Sequence, residues 1–256
     1  MHQVLAYLRF LWHSKNEYAV HSPFVYDLLM KCVYDKTQHP QYDLIGRFRQ
    51  NLLNDQTEIE IAELGAGSRS FKDARRKVSK MARAAGSTAF RSKLLFRLAN
   101  YFKPKEVLEL GSSLGIGTLS LSLGNPVAHI DTVEGSVTAG YAAKALESAG
   151  IKNVMVHHAR FADFITNISP DKNFDFIFFD GHHDRDATLN YFNLLKPTIR
   201  KDTVWIFDDI HWSPGMEQAW KQICLDPIVT VSIDTFRWGI VFFRSGQVKE
   251  HFVLRV

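Results

Sequence analysis

The stretch VLELGSSLGIGT, residues 107–118, decides the fold. Its opening apolar run, bounded by glycine, predicts a buried strand; the glycines predict a turn, and the residues that follow start a helix. Such a strand-turn-helix passage leaves the first amide donors of the helix facing outward above the strand end. Glycine also permits positive φ and lets a ligand approach the backbone closely. The spacing Gly111, Gly115, Gly117 is G-x-x-x-G-x-G, which differs from the dinucleotide pattern G-x-G-x-x-G, and the carboxylate of Glu109 precedes it.

Outward toward the carboxyl end, short apolar runs alternate with helical segments, as βαβ units do. The expected strands are 106–110, 128–133, 153–158, 174–179, 203–207, 228–233 and 238–243, with helices near 116–123, 137–149, 160–167, 185–196 and 214–224. The last two strands are too close for a parallel crossover and predict an antiparallel hairpin at one edge. The fold class is therefore α/β: a Rossmann-like, doubly wound, seven-stranded sheet, mostly parallel with an antiparallel terminal hairpin.

Toward the amino end the chain reads as helices. They fall near 3–12, from Ser22-Pro23 onward, over about 42–53, between 71 and 84, and through Phe90, Leu94, Leu95, Leu98 and Phe102 up to Pro104. Residues 1–89 are thus expected to be a helical extension or substrate cap, and 90–256 the cofactor-binding domain. ELGAG (63–67) resembles the later loop, yet nothing βαβ-like follows it, so Gly65-Ala66-Gly67 reads as a turn.

In the 256 residues, 46% are hydrophobic and 23% charged, which excludes disordered, collagen-like and coiled-coil classes. No apolar run reaches membrane-spanning length and the start lacks a cationic leader, so a cytoplasmic protein without a membrane partner is expected. Cys32 and Cys224 have no metal-ligand spacing and read as reduced thiols. Within the net charge of +4, residues 69–105 hold twelve Lys or Arg against Asp73 alone, leaving the rest acidic on balance. That run reads as a solvated helix face or as a footprint for an anionic partner.

Glu134 closes the second strand of the domain, 23 residues after Gly111, where a carboxylate can accept from both hydroxyls of a ribose. The sequence E-L-G-x-x-x-G followed by T-V-E-G resembles motifs I and II of class I S-adenosylmethionine-dependent methyltransferases, particularly the small-molecule O-methyltransferases, over about residues 90–245. The resemblance implies that Glu109, Gly111, Ser112, Ser113, Gly115 and Gly117 surround the methionine part of S-adenosylmethionine and that Glu134 binds its ribose. It also implies that His158, Ala159 and Arg160 line the adenine pocket, although the family often has a Gly-Asp or Gly-Ala step there.

FDFIFFDGHHD (174–184) places Asp180 at one strand end, and VWIFDDIHWS (204–213) places Asp208 and Asp209 at the next. Acids converging there repel one another unless a hard cation such as Mg²⁺ joins them. The spacing resembles that of the catechol-type, metal-dependent O-methyltransferases, in which an Asp and a later Asp-Asn pair hold Mg²⁺; here Asp209 stands for the Asn. Metal ligation by Asp180, Asp208 and Asp209 is one reading, capping of the following helix the other. His183 sits where that group carries a catalytic Lys and is the candidate base, with His182 and His211 as competitors, while a metal alone could acidify the acceptor. Asp180 and His183 are the catalytic candidates, and Asp180 also borders the cofactor. Trp212, Trp220, Trp238 and Phe236 offer an aromatic floor for an acceptor, although Trp220 reads rather as packing its helix onto the sheet, and Trp12, His21, Phe24 and Tyr26 offer a lid.

The expected function is O-methylation of a small-molecule acceptor, with Mg²⁺ or another divalent cation as an option and a homodimer left open. An RNA-directed methyltransferase using 69–105 is the alternative, though no N-P-P-Y-type tetrad follows strand four. A nicotinamide-dependent oxidoreductase is disfavoured by the glycine spacing, and a non-catalytic binding module is the third reading.

Overall fold

The computed structural model describes residues 2–60, 75–84 and 87–256. In chain order these form α1 (His2–His13), α2 (Pro23–Leu28), α3 (Gln41–Asn54), β1 (Glu58–Glu60), β2 (Arg75–Lys77), α4 (Val78–Ala84), α5 (Ala89–Phe102), β3 (Glu106–Leu110) and α6 (Ile116–Gly124). They continue as β4 (His129–Glu134), α7 (Thr138–Ser148), β5 (Val154–His158), α8 (Phe161–Thr166), β6 (Phe176–Phe179), α9 (Arg185–Leu195) and β7 (Val204–Asp208). The last elements are α10 (Pro214–Leu225), β8 (Val231–Asp234), β9 (Trp238–Phe242) and β10 (Glu250–Val253). The turn expected at Gly65–Gly67 lies outside the described residues, as do Arg69 and Lys72 of the basic run. No helix among the described residues is long and apolar enough to cross a membrane.

The fold is α/β with a mostly parallel sheet of eight strands, and the chain divides into two compact units. One unit is Asp35–Phe164. In it β3, β4 and β5 pair in parallel, with Glu109 opposite Thr132 and Glu134 opposite His158. Tyr42, Ile45, Phe48 and Leu52 of α3, Phe96 of α5 and Leu119 of α6 share one buried cluster. Each such side chain contributes about 1.5–3 kcal/mol by leaving water. Helix α5 begins on Thr88, whose hydroxyl accepts from the Arg91 amide at 3.2 Å, and ends on Lys103 at φ 49° ahead of Pro104. It packs against α6 so closely that a Cβ on Gly124 would lie 2.4 Å from the Phe96 carbonyl oxygen.

The other unit is Met1–Tyr34 with Ile165–Val256. Its strand order is β10-β8-β9-β7-β6. β6 and β7 run parallel, β9 is antiparallel to both β7 and β8, and β10 lies parallel to β8. Phe179 stacks on Phe207 at 4.3 Å, and Trp205 meets Phe192 and Phe243 at 5.5 and 5.0 Å. Local signals set the helix starts. The Asp184 carboxylate accepts from the Asp186 and Ala187 amides to cap α9, and the Ser213 hydroxyl accepts from the Met216 amide to cap α10, with Pro214 in the first turn. Ser22 precedes α2 in the N-cap position without a side-chain cap bond.

Three expectations change. The sheet has eight strands where seven were expected, because EHFV (250–253) adds β10 alongside β8. The antiparallel hairpin is present as β8 and β9 but is not the edge, since β10 occupies it. Helix was expected from 71 to 84, yet 75–77 is strand, held by the ladder to Glu58–Glu60 and by an Arg75–Glu60 ion pair at 3.8 Å; helix begins only at Val78.

Candidate active site

Within Asp35–Phe164, the loop after β3 turns on three residues with positive φ: Gly111 (110°), Ser113 (47°) and Gly115 (86°). At Gly115 the left-handed backbone would strain a side chain, while a Cβ would find Leu146 at an ordinary contact distance of 3.4 Å, so it is the φ that favours glycine where the loop enters α6. The Gly111 amide donates to the Val133 carbonyl at 2.8 Å, which ties the loop to β4.

Glu134 is clamped at both oxygens. The Ser113 amide donates to Oε2 and the Ser136 amide to Oε1, each at 2.9 Å. The loops after β3 and β4 therefore hold one carboxylate between them, and each oxygen keeps a lone pair for another donor. Across the parallel pair lies His158, exposed, followed by half-buried Ala159, whose amide donates to the Glu134 carbonyl at 3.2 Å, and by exposed Arg160. The residues expected at ribose and adenine are thus neighbours on adjacent strand ends.

Glu109 is buried, and Thr132 donates to its Oε2 at 2.6 Å, as does Thr118. Burial pushes its carboxyl up to about 7, while the two hydroxyls pull it down. Ser112, at 3% exposure, keeps a buried hydroxyl without a hydrogen-bond partner, and Gly117 is buried in the first turn of α6. An orphaned hydroxyl in a glycine loop, beside a carboxylate with spare lone pairs, fits a ligand carrying both a zwitterionic head and a diol.

In the other unit, Asp180 follows β6 and Asp208 ends β7, the latter 5% exposed. Asp180, His183 and Asp208 each offer an atom within 4.8 Å of the others. Asp209 does not belong to this group. At φ 51° its carboxylate turns to Arg237, whose Nη1 donates to Oδ1 at 3.1 Å. Burial and the adjacent Asp208 charge hold its carboxyl above the ordinary range, against the pull of His183 and Arg237. Two carboxylates and an imidazole are a donor set that fits a divalent ion, and the nitrogen suits Mn²⁺, Co²⁺ or Zn²⁺ better than Mg²⁺.

The three histidines separate by their partners. His182, at φ 49°, shares a 2.7 Å hydrogen bond between Nδ1 and the Tyr191 hydroxyl. His211 lies between Glu217 (Nδ1, 3.0 Å) and Asp234 (Nε2, 2.8 Å) and stacks on Phe236. Carboxylates accept, so this pair of partners favours the form in which both ring nitrogens donate. Burial alone would lower its pKa, but the two carboxylates more than offset that and raise it. His183 is the one beside Asp180 and Asp208, with the Trp212 ring 6.4 Å away.

Of the aromatic residues read as an acceptor floor, Trp220 packs on Gly239 and Trp238 is buried against Phe178, so both serve the core. Phe236 supports His211, and Trp212 is 51% exposed. Of the lid candidates, Phe24 packs on Phe242 and under Arg244, whereas Trp12, His21 and Tyr26 are exposed. Arg237, Glu217 and Asp234 were not legible as site residues. The one signal for Arg237 was the excess of acids at this edge, which calls for a cation somewhere.

Residues 108–210 match the family model of a methyltransferase domain. No curated protein matches. Among solved structures, the S-adenosylhomocysteine-bound methyltransferase PaMTH1 of Podospora anserina is similar at TM-score 0.62, 14% identity, covering 88% of this chain and 97% of its own. The O-methyltransferase TomG of Streptomyces achromogenes, involved in tomaymycin synthesis and solved with S-adenosylmethionine, is similar at 0.55 and 21%, covering 63% and 82%. An O-methyltransferase of Bacillus cereus in complex with S-adenosylhomocysteine is similar at 0.53 and 18%, covering 84% and 99%.

Proposed function

We propose that this chain is a class I S-adenosylmethionine-dependent methyltransferase that methylates a hydroxyl oxygen of a small-molecule acceptor, with His183 as the base. The observation that carries the reading is the convergence of Asp180, His183 and Asp208 within 4.8 Å, while His182 and His211 are engaged by other groups. When bound, S-adenosylmethionine supplies a methyl group on a positively charged sulfur. Glu134, clamped by two amides, receives the ribose hydroxyls; the Gly111–Gly117 loop, with the Ser112 hydroxyl, faces the methionine part; and His158, Ala159 and Arg160 border the adenine.

His183 would take the proton of the acceptor hydroxyl as that oxygen becomes the nucleophile. The imidazolium that results faces Asp180 and Asp208. Orientation and this proton transfer are the protein's part in the chemistry. A second reading rests on the same donor set: a divalent cation held by Asp180, His183 and Asp208 would acidify the acceptor hydroxyl directly. Selection of the acceptor falls to the amino-terminal cap, residues 1–89, which the family match does not reach.

The test is S-adenosylhomocysteine formation with a panel of phenolic and catecholic acceptors, with and without chelator. The base reading predicts that His183→Ala lowers kcat by about 10²–10⁴-fold while chelator leaves the wild type unchanged. Activity abolished by chelator and restored by Mn²⁺ or Mg²⁺ selects the cation reading. Full activity in both His183→Ala and Asp180→Ala would refute both, and turnover of RNA in place of the panel would move the reading to the basic segment.

A further inference from the structure

We infer that Glu106 at the start of β3, His129 and Asp131 on β4, and His157 near the end of β5 form a binding site for a divalent transition-metal ion. In the parallel ladders Glu106 lies opposite His129, Leu108 opposite Asp131, and Asp131 opposite Met155, two residues before His157. Side chains alternate between faces along a strand, so all four candidate ligands share one face of the sheet.

Ligand atoms of Glu106, His129 and Asp131 lie within 4.8 Å of one another. Both imidazoles aim the same nitrogen at the same oxygen: Nε2 of His157 is 2.8 Å and Nε2 of His129 is 3.5 Å from Oδ1 of Asp131. Zinc bonds of about 2.0–2.2 Å in a tetrahedron set ligand atoms about 3.3 Å apart, a value these two separations bracket. Asp131 is 7% exposed, and a carboxylate so buried needs compensating charge or hydrogen bonds. The His157 ring is braced by Phe164 at 4.7 Å, while half-exposed His129 leaves a path for an ion to enter.

Two nitrogens and two carboxylate oxygens favour Zn²⁺ or Co²⁺ over Mg²⁺ or Ca²⁺, which take all-oxygen sets. His129 and Glu134 stand at opposite ends of β4, five residues or about 16 Å apart along the strand. His157 directly precedes His158, but side chains alternate along a strand, so Glu134 and His158 project from the opposite face of the sheet; an ion at the site ties three strands together without entering the chemistry.

The test is titration of the metal-stripped 256-residue chain with Co²⁺, followed by visible absorption. Four-coordinate Co²⁺ bands should appear in the wild type and in His183→Gln, with one bound equivalent in His183→Gln, and both should be lost when His129→Gln or His157→Gln is added to His183→Gln. Circular dichroism and S-adenosylhomocysteine affinity should match those of His183→Gln in these two double variants. Absence of the bands in the wild type or in His183→Gln, or undiminished bands in both double variants, would overturn the proposal and leave the cluster as ordinary hydrogen-bonded ion pairs.

Discussion

At the scale of single residues, Glu109 carries a measurable consequence of burial. Its carboxyl is pushed from 4.5 to about 7 in the folded chain, so between those values the folded protein holds a proton that the unfolded chain has released. Stability from this group is complete below about pH 4.5 and is lost as pH rises through about 7, with a size on the order of 3 kcal/mol. Urea unfolding at pH 5 and pH 8 should show that loss in the wild type, and Glu109→Gln, which removes the ionisation and keeps an acceptor for Thr118 and Thr132, should flatten it. An equal pH slope in the variant would show that Glu109 is ionised in the fold. The site's other carboxylates illustrate what sequence can and cannot tell. The place of Glu134 was legible from the glycine loop and the strand that precede it, and the Ser113 and Ser136 amides meet it there. The turn of Asp209 toward Arg237 was not, because that pairing reaches from the end of β7 to the β8–β9 turn, 28 residues on, and depends on a left-handed backbone at 209.

At the scale of elements, the contact between α5 and α6 leaves no room for a side chain. A Cβ at Gly124 would sit 2.4 Å from the Phe96 oxygen and 2.8 Å from the Ala99 Cβ, and the first of these is backbone that cannot rotate away. Gly124→Ala should cost about 1–3 kcal/mol as overpacking, read as a lower urea midpoint with an unchanged slope; a midpoint equal to or above the wild type would contradict the packing. Strands such as 106–110 were legible because they are continuous apolar runs, and the helices because their caps and periodicity agree. β2 was not, since Arg75-Arg76-Lys77 looks like a charged helix face and becomes strand only by pairing with Glu58–Glu60. β10 was hidden for the same kind of reason: four residues of mixed polarity gain their form from the ladder to Val231–Asp234.

At the scale of the molecule, the residues read as cofactor ligands fall in Asp35–Phe164, apart from Asp180, while Asp180, His183 and Asp208 belong to the unit that includes Ile165–Val256. The geometry of the loop after β3 and of Glu134 was legible because a glycine-bearing strand-turn-helix passage and a strand-end acid are local features of the sequence. The acceptor half was less so: two of the tryptophans read as an acceptor floor are core, and the amino-terminal helices carry no motif. The central claim is that a diol-bearing sulfonium cofactor is held by Glu134. Calorimetric titration with S-adenosylhomocysteine measures it directly. The wild type should bind and Glu134→Ala should bind roughly tenfold to a hundredfold more weakly, as expected when a charged hydrogen-bond acceptor worth about 1.5–3 kcal/mol is lost. Failure of the wild type to bind S-adenosylhomocysteine while it binds NAD(P)H, or an unchanged affinity in Glu134→Ala, would contradict the account.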